Sequence, residues 1–119
     1  MNRAKQKGTS FETAVVNWLQ AMDVPARRIA LAGTKDEGDV DAGSWNLECK
    51  NVKAMALAQW VGEADCEMVH AVKPVAVVAK RVGKGDPGEA YVIMPLRIFA
   101  AFVLRPQSGQ SDQSGTLME

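Results

Sequence analysis

The sequence predicts an α/β fold, a mixed central sheet flanked by helices in the order helix, three strands, helix, two strands, helix. Three observations carry that reading. Apolar residues recur at helical spacing over residues 9–22, alternating runs flank Gly43 and Ser44, and an unbroken apolar run fills 75–79. At 119 residues the chain suits one domain and one core. Apolar residues at 47% and charged residues at 24% exclude disordered and fibrous classes for its bulk. The domain is expected over residues 1–105, with a basic N-terminal arm at 1–8 and a disordered Ser-, Gln- and Gly-rich tail at 106–119.

The first helix is expected to start at Thr9, with Phe11, Val15, Trp18, Leu19 and Met22 as its apolar face. Thr9 and Glu12 have capping-box spacing, and Asp23, Val24 and Pro25 end the helix. A strand over 26–32 follows, then a polar loop over 33–38. Runs at 39–42 and 45–51 about Gly43 and Ser44 read as a hairpin. A second helix is expected over 54–70, with a mixed face of Met55, Ala58, Val61 (or Gly62), Asp65 and Met68. The run 75–79 reads as a strand buried on both sides. After a turn at 84–88 come a strand at 89–94 and a last helix opened by Pro95, running through Phe99 and Phe102. That helix is either core or a dimer surface.

The charges balance at fourteen basic and fourteen acidic residues, but they are not mixed evenly. Residues 36–48 hold Asp36, Glu37, Asp39, Asp41 and Glu48 with no base. Bases collect at Arg3, Lys5 and Lys7, at Arg27 and Arg28, and at Lys80, Arg81 and Lys84. An acidic focus flanked by basic clusters suits a cation site that must approach phosphates, and equally an ordinary solvated surface. Cys49 and Cys66 form no C-x-x-C pair, so a disulfide framework or structural zinc is not expected. His70, four residues after Cys66, is too poor a ligand set for zinc. The basic start lacks an apolar h-region, and no run approaches the roughly 20 apolar residues of a membrane span. A cytoplasmic protein with no membrane association is expected.

With Gly43 and Ser44 as the turn, Asp41 faces Asn46, Val40 faces Leu47 and Asp39 faces Glu48. Residues two apart share a face, so Asp39, Asp41, Asn46, Glu48 and Lys50 project together. Val40, Ala42, Trp45, Leu47 and Cys49 form the apolar side. Two opposed carboxylates repel unless a divalent cation lies between them. Lys50, further along the same face, then reaches the same phosphate or the attacking water. Alternatively Asp39 and Glu48 are solvated at a sheet edge and Lys50 pairs with Glu37. Trp18 and Trp45 read as core; Trp60 is core or a base-stacking platform.

Gly38-Asp39-Val40 followed by Glu48-Cys49-Lys50 resembles the signature of the PD-(D/E)XK nucleases, with Gly38 in place of the proline. A glutamate on the upstream helix and a helix and strand after E-x-K extend the resemblance over residues 9–80. Lys7 to Glu12 resembles the K-G-x-x-x-E opening of archaeal-type and phage Holliday junction resolvases. The resemblance implies a restriction-endonuclease-like core and a magnesium-dependent endonuclease, with manganese a substitute, that cuts branched DNA as a homodimer. It implies an enzyme of a bacterial host or a phage. It also implies Asp39, Glu48 and Glu12 as metal ligands, with Lys50 the fourth catalytic residue. Glu12 is open between that role and the helix cap. Arg3, Lys5, Lys7, Thr34, Lys53 and Gln59 are the expected DNA contacts, although no tyrosine follows Gln59 in Q-x-x-x-Y spacing. The alternatives are a nuclease of this fold acting on linear or nicked DNA, a non-catalytic nucleic-acid-binding module, and an unrelated α/β protein with a solvent-facing acidic hairpin.

Overall fold

The computed structural model describes residues 3–30 and 36–106, and the side chains of residues 3–7 lie outside that description. The α/β expectation holds. A five-stranded mixed sheet in sequential order is flanked by three helices. Helix α1 spans Arg3–Ala21, β1 Arg27–Arg28, β2 Val40–Asp41, β3 Asn46–Lys50, α2 Leu57–Ala71 and β4 Val75–Ala79. A short 3-10 turn, Pro87–Glu89, precedes β5 (Tyr91–Ile93) and α3 (Leu96–Phe99).

The first correction is to the basic arm. Helix α1 begins at Arg3, not Thr9, because residues 3–7 are strong helix formers and Gly8 costs only about 1 kcal/mol. Residues 3–8 are therefore helix, and Thr9 is an interior position with no capping box to form. At the other end Val24 N–H donates to Leu19 O and Asp23 N–H to Gln20 O, with Asp23 at φ 65°. This is a Schellman ending with Asp23 in the left-handed position.

Of the expected first strand, the described residues form Arg27–Arg28, continued by one bond from Ile29 N–H to Asp39 O, and residues 31–32 lie outside the description. The hairpin register is as expected: Val40 pairs with Leu47, Asp41 with Asn46, and Ala42 N–H donates to Trp45 O at 2.8 Å. β3 and β4 are parallel, with α2 as the crossover such a pair requires. The remaining neighbours are antiparallel.

β4 is buried along its whole length, as its continuous apolar sequence predicts. Val78 meets Phe11 and Val15 of α1, while Val75, Val77 and Ala79 meet Trp60 and Ala64 of α2. One helix thus covers each face. The buried stripe of α2 is Trp60, Ala64 and Glu67; of the expected face Met68 packs against this core, whereas Ala58 is exposed and Met55 is 47% exposed. Trp60 is core. Trp18 and Trp45 instead line an open apolar groove of about 380 Å³ with Val15, Leu47 and Pro87. The last helix ends at Phe99 and continues as a π-helical turn, Ala100–Leu104, placing Phe102 edge-on against Trp45 at 6.0 Å. Among the described residues no helix is long and apolar enough to cross a membrane.

Two substitutions test this packing. Val77 is fully buried, so Val77→Ala is expected to lower stability by about 2 kcal/mol. Val72 ends α2 at φ 57° and is 86% exposed, a strained state for a β-branched residue. Val72→Gly should raise stability by about 1 kcal/mol despite glycine's entropy cost. Urea unfolding measures both, and opposite signs would contradict the assigned burial and backbone.

Candidate functional site

β3 has two faces with different chemistry. Leu47 and Cys49 pack toward α1 with Phe11, Val15 and Val40. Asn46, Glu48 and Lys50 alternate with them and project toward α2. The parallel register sets Glu48 beside Val77 and Asn46 beside Val75. Both polar residues are thereby drawn into the core: Asn46 is 2% exposed and Glu48 9%.

Asp39 does not join the ladder opposite Glu48. Its N–H donates to Leu47 O at 2.8 Å, one residue out of the hairpin register, as in a bulge. Its Oδ2 accepts from Cys49 N–H at 2.8 Å. The sequence expectation is direct pairing of the two acids; in the structure Asp39 is instead held by this hook, near enough to Glu48 for their charges to interact. Gly38 makes the approach possible. It sits at φ 106°, and a Cβ there would lie 3.2 Å from Leu47 O. Proline cannot adopt that φ, which explains physically why the proline of the resembled signature is absent here. Asp36 Oδ1 accepts from Gly38 N–H, and Asn46 Nδ2 donates to Glu37 O at 2.7 Å, so the loop before Asp39 is tied to β3.

Sequence reasoning missed Glu67. It lies on the stripe of α2 that covers the sheet and is only 4% exposed. One carboxylate oxygen from each of Asp36, Glu48 and Glu67 falls within 4.8 Å of the others. Glu67 Oε1 and Glu48 Oε1 are both buried with no hydrogen-bond partner. The available signal was an acid in register with Trp60 and Ala64 at i+7 and i+3.

The electrostatics follow from crowding. Burial, then the charge of Glu48, pushes the Asp39 carboxyl up to about 7 against the Cys49 N–H bond, with Glu12 and Asp36 adding to the rise. Burial also raises Glu67, reinforced by the hydrogen bond it can make to Glu48 once it carries a proton and by the charges of Glu48, Asp36 and Asp39. The Cys49 thiol is pushed up by burial and then by Asp39, Glu12 and Glu48, so it is no nucleophile.

Lys50 Nζ lies 3.2 Å from Glu48 Oε2 and 2.7 Å from Glu63 Oε1. It does not pair with Glu37. Burial works against its charge, but the Glu63 hydrogen bond and the Glu48 charge outweigh it and hold Lys50 above the usual lysine value. Gln59 Nε2 donates to Glu63 Oε2 at 3.2 Å, so Gln59 acts on Glu63 here, two bonds from Lys50. Glu63 was a second omission of the sequence reading.

The other expected residues lie as follows. Glu12 is bonded to Arg28 at 3.2 Å and stands outside the three-acid group, though near enough to raise Asp39. Asp41 is satisfied by Arg27 at 3.0 Å and Lys73 at 3.1 Å and takes no part. Lys53 lines a groove with Lys80 and Arg81. That groove adjoins the site, since Lys80 N–H donates to Lys50 O. Thr34 lies outside the described residues, as do the side chains of Arg3, Lys5 and Lys7.

Chemically, the site offers hard oxygen donors beside one ammonium, a set suited to a divalent cation next to a phosphate. No family model, curated protein or solved structure matches the chain.

The raised carboxyls fix the sign of a pH dependence. Asp39 and Glu67 hold protons more tightly folded than unfolded, so stability present in acid is lost as pH rises through about 7 for Asp39, and higher still for Glu67. Without divalent cations the urea midpoint should fall between about pH 5 and pH 8. Asp39→Asn should flatten that fall. A midpoint that climbs across the interval would contradict the crowding described.

Proposed function

We propose that the chain is a metal-dependent endonuclease that hydrolyses phosphodiester bonds in DNA, with branched DNA as its favoured substrate. The observation that carries the reading is the grouping of Asp39, Glu48 and Lys50. Lys50 Nζ stands 3.2 Å from Glu48, and Asp39 is close enough for the charge of Glu48 to raise it. Those residue types, in that order along a hairpin, are the ones the PD-(D/E)XK resemblance requires. The parallel β3–β4 pair joined by α2 agrees with the core it implies.

Magnesium, or manganese in its place, fits the donors: they are carboxylates, and Glu48 Oε1 is buried without a partner. Asp39 and Glu48 would hold the ion. When bound, it supplies a water of lowered pKa and charge to set against the phosphate. Lys50 is the chain's own contribution to the developing negative charge. Glu63 fixes its position and keeps it protonated, so the ammonium needs no reorganisation as charge accumulates.

Substrate binding is assigned to the basic groove of Lys53, Lys80 and Arg81, assisted by Arg3, Lys5 and Lys7 at the start of α1. Such contacts follow the backbone and carry no base sequence. The branched-DNA preference rests on the resemblance of Lys7 to Glu12 to the resolvase opening. Paired cuts across a junction call for a twofold dimer, and exposed Leu96, Phe99, Val103 and Leu104 offer it an apolar surface.

The test is magnesium-dependent cleavage of a synthetic four-way junction and of a matched linear duplex. Wild type should cut the junction faster. Glu48→Gln and Lys50→Ala should each lose about a hundredfold or more. Glu63→Gln, which frees Lys50 without removing it, should lose about tenfold. Equal cutting of both substrates would reassign the enzyme to linear DNA; no cleavage of either, with magnesium or manganese, would end the nuclease reading.

A further inference from the structure

We infer that Glu67 and Asp36 complete the cation site, so that the ion is clamped between the sheet and α2 and not between the sheet and α1. The inference deepens the proposed function, on which it relies for the class of ion, a hard divalent cation such as magnesium or manganese.

Glu67 is 4% exposed, and its Oε1 is buried with no partner, as is Glu48 Oε1. A buried carboxylate oxygen left without a donor is costly, and native structures rarely keep one without reason. Here two unpartnered oxygens belong to neighbouring residues. The ligand atoms of Asp36, Glu48 and Glu67 lie within 4.8 Å of one another. Oxygens held about 2.1 to 2.5 Å from one ion can be no more than about 4 to 5 Å apart, so the spacing matches a shared cation.

The competing explanations are weaker. A proton shared between Glu67 and Glu48 gives those two oxygens one partner but leaves out Asp36, whose ligand atom lies in the same group. Among the described residues no ion pair involves Glu67 or Asp36, and Lys50 is already engaged by Glu48 and Glu63. Glu12, the helix acid that the resolvase resemblance implied, is held by Arg28 at 3.2 Å and is not in the group. The loop bearing Asp36 is tied to β3 through Asn46 and through its own bond from Gly38, so Asp36 is presented and not merely nearby.

The experiment measures binding of manganese chloride to the full chain by the loss of the free-ion EPR signal near neutral pH, with thermal shift as a second readout. Wild type should bind manganese saturably and be stabilised by it. Glu67→Gln and Asp36→Asn should each weaken binding about tenfold or more, while Glu12→Gln stays near wild type. Asp36 is exposed, so its variant decides the matter if Glu67→Gln fails to fold. Wild-type affinity in either variant, or no saturable binding by wild type, overturns the inference. Cleavage that persists with manganese affinity unchanged in Glu67→Gln removes the inference and leaves the nuclease reading. Glu67-dependent binding with no cleavage of any DNA does the reverse.

Discussion

Carboxylates gathered beneath a helix and withheld from water repel one another, and most of the local structure around them is restraint against that repulsion. Asp39, Glu48 and Glu67 are each shielded from solvent, and each raises or is raised by another. A protein interior screens such charges poorly. Two kinds of relief are visible. Protons are held on Asp39 and Glu67 at pH values where free carboxyls have lost them. Lys50 adds a single positive charge at the margin. A proton on Glu67 can be shared with Glu48, but it adds no positive charge for Asp36 and Asp39 to share. The proposed divalent cation would partner the bare oxygens of Glu48 and Glu67 and also invert the local electrostatics that a proton only softens.

The restraint comes from the core on the opposite side. Alternation along β3 puts Leu47 and Cys49 into the α1 cluster, and burying them fixes which way Glu48 and Lys50 point. A slip of one residue would carry the acids to α1 and expose the apolar set, so the register is protected by the whole hydrophobic energy of that face. The Asp39 hook adds a second lock. Its main chain bonds to Leu47 and Ile29 and its side chain to Cys49, fixing the point at which residues 36–38 join the sheet. On the other side, Trp60 and Ala64 anchor α2 on β4 and so set the height of Glu67 above the sheet.

Much of this was legible in the sequence, and what was not had physical reasons. The hairpin register, the two faces of β3 and the buried β4 could be read because short-range alternation and a two-residue turn determine them. Glu67 could not. An acid on an apolar stripe looks like a break in the periodicity, so spacing alone draws the helix face through Asp65 and Met68. The hook at Asp39 was hidden for another reason: it depends on a positive φ at Gly38 and a bond to the main chain, neither of which has a pattern. The start of α1 is hidden because the cap spacing at Thr9 competes with the plain helix propensity of residues 3–7. The Lys50–Glu63 pair is not legible either, since Glu63 approaches from a helix that alternation along a strand cannot place.

The position of Glu67 also bears on how the chain divides stability from chemistry. A leucine there would continue the stripe of Trp60, Ala64 and Ala71, keep helix propensity, and bury apolar surface in place of a carboxylate. Physical chemistry alone therefore favours an apolar residue at 67, and the same reasoning favours one at 48, the middle residue of a strand next to fully buried β4. Both positions hold glutamate. Two independent elements, one strand and one helix, have each given up core packing at the point where they meet. Packing offers no account of that coincidence, whereas a ligand that needs oxygen donors from both sides does.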